Sequence, residues 1–521
     1  MSDFRSLQYE RPVGRAPLAG SAFFRGVSQK REEPKSARGP HWSSGTPSLP
    51  FGKITCVVGA VLFMSISTLV RAQQPPPSPP ANAPQKEQPA GSPEQTPAPP
   101  QKPDARSTGL PKKVNWSFNF DAAWGSFGFG NSLYTNNKPD PSGDLSDNWF
   151  EGYIKPALSA SFALGKSELY GKVSGVGERT YGAPPTLVGE SASSFKQEDL
   201  CIGWRSGKSL GSSENLLDFT VGRTQYTIGH GFLVWDGGGE GGSRGGFWSN
   251  ARKAWQFAGI ARLKPMNHTI EGFYLDRDEV PESETGSRLA GVNYEYAVGE
   301  DTALGATYIR AFAHRASQPY RDGMNVFHAR AYTAPFPGFS DLSFELEYGY
   351  EKNGALLHST AWSAQGAYHL SKAAWTPQFS YRYAFFDGDD PRTGGNEAFD
   401  PLFLGFYDWG AWWQGEIAGE YFLSNSNNIS HQARLHLSPS DSLGWGVMGY
   451  WFFLPQPASA GPGVTSSNVA FEFDAYADWK INKNFTLSIV GAVADPHKAV
   501  EQAYNRTKTF LYGMVYIAYS F

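Results

Sequence analysis

This chain has little charge, almost no cysteine and almost no long apolar stretch. Charged residues are 18% of its 521 positions, and the cysteines are Cys56 and Cys201 alone. Two cysteines cannot staple a small disulfide fold. Neither a CxxC nor an HExxH spacing occurs, so no metal and no cofactor is expected. One apolar run, Ile54–Val70, comes near the length of a membrane helix, which excludes a polytopic helical membrane protein. What is abundant is glycine (58 residues) and aromatic side chains (36 Phe, 25 Tyr, 16 Trp), while the mean hydropathy stays at −0.41. An aromatic, glycine-rich chain that is apolar only in alternation fits a transmembrane β-barrel, with one face toward lipid and the other toward a wet lumen.

Four segments are expected. Residues 1–53 form a basic extension with nine Lys/Arg against four acids, readable as an extended signal or as sequence upstream of a later true start. Residues 54–72 carry an apolar core after Lys53 and end Leu69-Val70-Arg71-Ala72, the form of a secretory signal cut after Ala72; a single membrane anchor is the remaining alternative. Residues 73–113 are a proline-rich linker, with twelve prolines between Pro75 and Pro103. Such a segment has little to bury and favours extended, solvated backbone. Residues 114–521 are the barrel.

In that last segment, period-two alternation recurs between turn residues. Trp116, Phe118, Phe120, Ala122 and Trp124 alternate with mostly polar neighbours. Leu342, Phe344, Leu346, Tyr348 and Tyr350 alternate with a face that carries Glu345, Glu347 and Glu351. Three carboxylates on one face cannot meet lipid, where a midplane charge is destabilising by up to a few kcal/mol. Val469, Phe471, Phe473, Ala475 and Ala477 alternate with Glu472, Asp474, Tyr476, Asp478 and Lys480. The last run places Leu511, Val515, Ile517, Tyr519 and Phe521 on one face. A final strand ending in an aromatic carboxyl-terminal residue is the form of signal read by the outer-membrane barrel assembly machinery, with Tyr519 and Phe521 as its candidate residues. The runs number 18 or 19, and the even-number rule for bacterial barrels selects 18. Longer inserts are expected as outer loops: 126–147, 182–193, 229–249, 279–287, 387–413 and 455–467.

The net charge of −4 conceals a division: residues 1–72 hold ten Lys/Arg against four acids, and the remainder holds 35 against 45, or −10. An acidic barrel gives no support for nucleic-acid binding. Its loop acids, among them Asp276, Asp278, Glu279 and Asp387, read as solvated charge, as divalent-cation bridges to lipopolysaccharide, or as a cation-attracting mouth. Candidate pore-lining or ligand residues are Arg223, Arg244, Arg252, Arg382 and Arg434 for an anion path, balanced by Glu345, Glu347, Asp474 and Asp478. The glycine-rich insert from Gly229 to Ser249 is too long for a strand and reads as a constriction loop. Guanidinium forks and tryptophan faces there suit carboxylated sugars, though the same arginines also suit purely structural pairing with lumen carboxylates. No nucleotide-cradling motif and no nucleophile elbow is present, so the chain is not expected to be an enzyme.

Three passages resemble the alginate export family of outer-membrane porins. They are Phe219-Thr-Val-Gly-Arg223 before the glycine-rich insert, Phe399-Asp-Pro-Leu-Phe403 before a tryptophan-rich stretch, and Phe471-Glu-Phe-Asp-Ala-Tyr-Ala-Asp-Trp479 with Asn482-Lys-Asn-Phe-Thr-Leu487 after it. The resemblance implies an 18-stranded monomeric barrel in the bacterial outer membrane, with an arginine-rich lumen that passes an anionic polymer and with Arg223 in that lumen. The expected function is an outer-membrane channel for polar or charged solutes or polysaccharide, its partners being outer-membrane lipids, the assembly machinery and the solute. The alternative is a non-transporting barrel with a structural or adhesive role.

Overall fold

The computed structural model describes residues 114–521 except 136–137, 140–145, 183, 186–190, 212–213, 300–301, 335–340 and 406–413. The expected extension, signal and linker (1–113) lie outside the described residues, as do two further acids of the expected insert 126–147, Asp140 and Asp144.

The strands form one closed antiparallel sheet of 18 members. In chain order they are β1 (Val114–Gly130), β2 (Ser146–Leu164), β3 (Ser167–Gly182), β4 (Ala192–Arg205), β5 (Leu217–Thr224) and β6 (Trp255–Leu263). Next come β7 (His268–Asp276), β8 (Arg288–Ala297), β9 (Thr302–Phe312), β10 (Asn325–Thr333), β11 (Leu342–Asn353) and β12 (Leu357–His369). The circle is completed by β13 (Gln378–Phe386), β14 (Asn428–Ser440), β15 (Leu443–Phe453), β16 (Asn468–Lys480), β17 (Phe485–Pro496) and β18 (Phe510–Ser520). Each strand pairs with its sequence neighbours, and β1 closes on β18 with Ala122 opposite Tyr519 and Gly130 opposite Leu511. Closure leaves no edge strand, the condition a sheet must meet to sit in lipid. The seam ends where Phe521 N–H donates to the Phe120 carbonyl and Phe120 N–H to the Phe521 carbonyl, both at 3.0 Å.

Alternation assigns the faces as the sequence predicts. Trp116, Phe118, Trp124, Leu346, Tyr348, Phe473, Val515 and Phe521 are exposed on the outside, where hydrocarbon would cover them. Glu347, Glu351, Glu472, Asp474 and Asp478 are buried on the inside. Connections at the end where β1 starts are mostly short: β2 passes to β3 through Gly165-Lys166, and β14 to β15 through Asp441-Ser442. At the opposite end lie all six inserts expected as outer loops. Long loops mark the extracellular side and short turns the periplasmic side. The sequence underestimates one insert: the segment after β13 runs to 427 rather than 413, because its later residues turn into the barrel instead of starting a strand. A seven-residue helix, α1 (Lys498–Tyr504), sits in the last outer loop with Ala499 and Val500 buried.

Contrary to the expectation of a wet lumen, the inner wall is not polar throughout. Leu289, Ile309, Ala311, Val326 and Phe386 face inward on β8–β13 and are buried in one apolar cluster. Met448, Phe452, Tyr512 and Met514 do the same on β15–β18 in a second. These positions face the inward-folded inserts rather than water, so apolar side chains are stable there.

Two of the four register shifts in the barrel sheet adjust the wall beside the first insert. The β3–β4 register shifts between Val173 and Gly175. As a result, adjacent Glu198 and Asp199, which strict alternation would send to opposite faces, are both buried and bond inside the barrel: Glu198 to Lys155 and Asp199 to Ser174. The β5–β6 register shifts between Gly222 and Thr224. Gly222 has φ of 119°, and a Cβ there would lie 2.3 Å from the Leu200 carbonyl oxygen. That explains the glycine of the Phe219–Arg223 passage. Gly222→Ala should cost about 1–3 kcal/mol and lower the fraction of barrel that keeps its folded mobility in unheated electrophoresis.

Candidate site in the lumen

Two inserts fold into the barrel, residues 225–254 between β5 and β6 and, between β13 and β14, residues 387–405 and 414–427. They are joined to each other by backbone hydrogen bonds: Trp235 N–H donates to the Phe403 carbonyl (2.9 Å), Phe403 N–H to Leu233 (3.0 Å) and Gly405 N–H to Gly231 (3.2 Å). Phe232, Leu233, Phe399 and Phe403 are essentially fully buried between them and the wall. At about 25 cal/mol per Å² of apolar surface, each such ring stabilises the seating by roughly 2–3 kcal/mol.

The glycines of the first insert permit close approach. A Cβ on Gly238 would lie 2.2 Å from the Arg252 carbonyl oxygen, so the chain can cross itself there only without a side chain. Wall carboxylates then satisfy the insert's backbone. Glu151 on β2 accepts from Trp248 N–H (2.9 Å) and Ser249 N–H (3.0 Å). Glu198 on β4 accepts from Lys253 N–H (2.7 Å), Ala254 N–H (3.0 Å) and the Lys155 ammonium (3.0 Å). Buried amides need such partners.

Three of the five predicted arginines converge on one residue. Asp278, in the β7–β8 loop, receives Arg252 Nη2 at 2.6 Å and Arg244 Nη2 at 3.1 Å, and it also pairs with Arg223. Arg244 additionally donates to the carbonyls of Gly239 (2.8 Å) and Glu279 (2.6 Å), and Arg223 Nε to that of Glu198 (2.8 Å). Burial opposes ionisation of Asp278, but the three guanidiniums outweigh it and hold its carboxyl below the ordinary range. These arginines therefore surround a buried anion rather than line an open path. The loop reading of Asp278 as solvated is overturned by its 6% exposure.

The second insert is held in the same way. Asp400 receives Arg321 through two bonds of 2.7 Å, and its own N–H donates to Glu351 on β11 (2.8 Å). Glu472 on β16 accepts from Ile417 N–H (2.7 Å) and Ala418 N–H (2.6 Å). The neighbouring Asp474 accepts from Glu416 N–H at 3.3 Å. Burial, reinforced by Glu420, pushes the Glu416 carboxyl up to about 8.

Toward the periplasmic end the inner wall is polar and partly open. Arg262 Nε donates to Glu271 (2.7 Å), which also accepts from Asn293 (2.8 Å). Arg330 donates to Glu295 and Asn293 at 3.0 Å. Glu347 pairs with His328 and Tyr332, and Glu345 lies 3.4 Å from His230. Arg434 Nη2 donates to the Tyr476 hydroxyl (2.8 Å). Asp478 accepts from Ser488. Arg382 is buried on β13 in register with Gln432. The predicted residues thus separate into an outer group that holds the inserts (Arg223, Arg244, Arg252, Asp474), a lower wall group (Arg434, Glu345, Glu347, Asp478), and Arg382, which is buried. His358 and Ser359, adjacent in sequence, face opposite sides of β12: His358 is exposed and Ser359 is buried in the barrel.

Sequence reasoning did not single out Glu198, Glu240 or Glu416, and it read Asp278 only as one loop acid among several. For Glu198, the Glu-Asp pair inside an alternating run was a usable signal. For Asp278 nothing local distinguishes it from its acidic neighbours.

The alginate export family model matches residues 208–513, more than half the chain. No curated protein sequence matches. Among solved structures, Pseudomonas aeruginosa OccK5 (OpdH) superposes with a TM-score of 0.50 at 11% identity, covering 77% of this chain and 97% of that one. Acinetobacter baumannii OccAB2 gives 0.49 at 13%, covering 78% and 98%. The outer membrane protein OprD of Pseudomonas aeruginosa gives 0.47 at 14%, covering 78% and 93%. The similarity to OccK5 is one of fold, and it is the fold that the 18-strand circle shows independently. The chain belongs to the alginate export family, and it is a channel of the bacterial outer membrane for polar solutes.

Proposed function

We propose that the cargo is an acidic polysaccharide or its fragments, carried along the lower wall, with the two inserts forming a gate above it. The observation that carries this reading is the division of the arginines. Those around Asp278 are committed to holding an insert, whereas Arg205 and Arg262 keep 35% and 21% of their side-chain surface while paired with Glu168 and Glu271. A uronate carboxylate can exchange with a wall carboxylate on a half-exposed guanidinium at small net cost, which favours passage over tight capture. Arg434 extends that surface, and Glu168 and Glu271 are the exchanging anions. In this reading the protein moves its cargo without chemistry on it. Tyr519 and Phe521, at the seam, are the segment offered to the assembly machinery.

Arg205, Arg262 and Arg434 replaced together by Gln should shift the reversal potential in a salt gradient toward cations. Block by alginate oligomers should weaken by about tenfold or more for each guanidinium that binds a uronate strongly in the wild type. An unchanged block constant would reject the path. A second reading, a closed barrel with a structural or adhesive role, is favoured by the packed outer half of the lumen. A folded, heat-modifiable barrel that never conducts in a planar bilayer would select it.

A further inference from the structure

The outer rim of β8–β12 carries basic side chains that the channel does not use. Arg288, Arg310, Lys352 and His358 all lie on the outward face, opposite in parity to the buried inner positions Leu289, Ile309, Glu351 and Ser359. The register puts them on one line across the strands. Arg310 is opposite Asn325, Asn325 opposite Lys352, and Lys352 opposite His358. Arg288 is offset from Arg310 by two residues, Ala290 being Arg310's partner. With strands about 4.8 Å apart, the row spans roughly 20 Å of barrel circumference. Arg310 Nη1 donates to the neutral Asn325 side chain (3.0 Å), and so does the Tyr308 hydroxyl (2.8 Å).

Directly beneath lies a second row. Two residues into the membrane from Arg310, Asn325 and Lys352 stand Tyr308, Phe327 and Tyr350, also in mutual register. Tyr308 and Phe327 rings lie 5.3 Å apart, and both are exposed. An aromatic band marks the interface between hydrocarbon and headgroups, so the basic row sits at headgroup height of the outer leaflet. The acid in register with the row is Asp276, opposite Arg288. Arg179 on β3 is the comparable outward cation elsewhere on this rim among the described residues, and Asp495 faces outward on β17. The charge is therefore local to one arc.

We propose that this arc is a binding site for a phosphate-bearing lipid headgroup of the outer leaflet, with Arg310 and Lys352 at its centre and Arg288 and His358 at its flanks. Guanidinium and ammonium groups donate to phosphate oxygens, while the aromatic row contacts the sugar or glycerol portion and the first methylenes below it. The site is independent of the lumen and of what the channel carries.

Native mass spectrometry of the detergent-purified barrel with diphosphorylated lipid A tests the assignment. Wild type should retain the lipid, and the triple variant R288Q/R310Q/K352Q should bind it on the order of a hundredfold more weakly, at about fivefold per basic residue near an anionic surface. The triple variant's single-channel conductance should match wild type, which separates this site from the lumen. The charge-preserving R310K/K352R should retain binding and guards against a loss caused by misfolding. Equal retention of dephosphorylated lipid A or phosphatidylcholine, unchanged binding by the triple variant, or full displacement by inorganic phosphate would each overturn it, the last by making the arc an ion site rather than a lipid site.

Discussion

Asp278→Ala is expected to open the outer half of the channel. It leaves Arg223, Arg244 and Arg252 facing one another around a site that has lost the carboxylate they share. Removing one partner of a buried ion pair typically costs about 3–5 kcal/mol, because the remaining charge stays desolvated. Here one deletion strands three cations, and the strands themselves are untouched. The cost should therefore fall on the seating of residues 225–254 rather than on barrel closure. Three readouts follow: protease cleavage within the insert, a larger single-channel conductance, and a reversal potential moved toward anions by the exposed guanidiniums. Asp278→Asn should behave alike, since shape without charge cannot neutralise the cluster. Arg244→Gln alone should do less, as Arg223 and Arg252 would still hold the carboxylate. If D278A leaves conductance and cleavage at wild-type levels, the triad is decoration on an insert held by Glu151 and Glu198.

The barrel was legible because its code is local. A strand states its faces every second residue, as Phe471 to Trp479 does, and membrane and lumen differ enough in polarity for the alternation to be read without partners. The loops at the outer rim were legible by length. The interior of the outer half was not. Leu289, Ile309, Val326 and Phe386 look like ordinary strand residues, and their inward position makes sense only once Phe232, Phe399 and Phe403 are known to pack on them. Asp278 was obscured for the same reason. Its three arginines lie 55, 34 and 26 residues away in sequence, and Arg-Asp-Glu in a short loop carries the composition of a solvated turn. Arg223 was a lumen candidate both from its place before the glycine-rich insert and from the family resemblance, but its partner required the fold.

Acidity should tighten the second insert, and the effect should run through Glu416. Its carboxyl is raised from 4.5 to about 8. Below about pH 4.5 it is neutral whether the insert is seated or released. Between there and about pH 8 the released form ionises while the seated form stays protonated, so seating weakens steadily as pH rises, by about 1.4 kcal/mol per unit. Above pH 8 both forms are ionised and the loss levels off, at roughly 5 kcal/mol in total. Burial likewise raises the Glu240 carboxyl of the first insert, which faces Glu178, so it pulls in the same direction. Asp278 acts oppositely and elsewhere: its carboxyl is depressed, so its contribution is present at neutral pH and is lost only as pH falls below the usual aspartate range. Conductance should thus rise between pH 5 and 8, and Glu416→Gln, neutral at every pH but able to keep the Trp248 indole contact at 3.3 Å, should flatten that rise while leaving the acidic plateau in place. A wild-type channel whose conductance is constant from pH 5 to 8 would show that the insert is held by its apolar contacts alone.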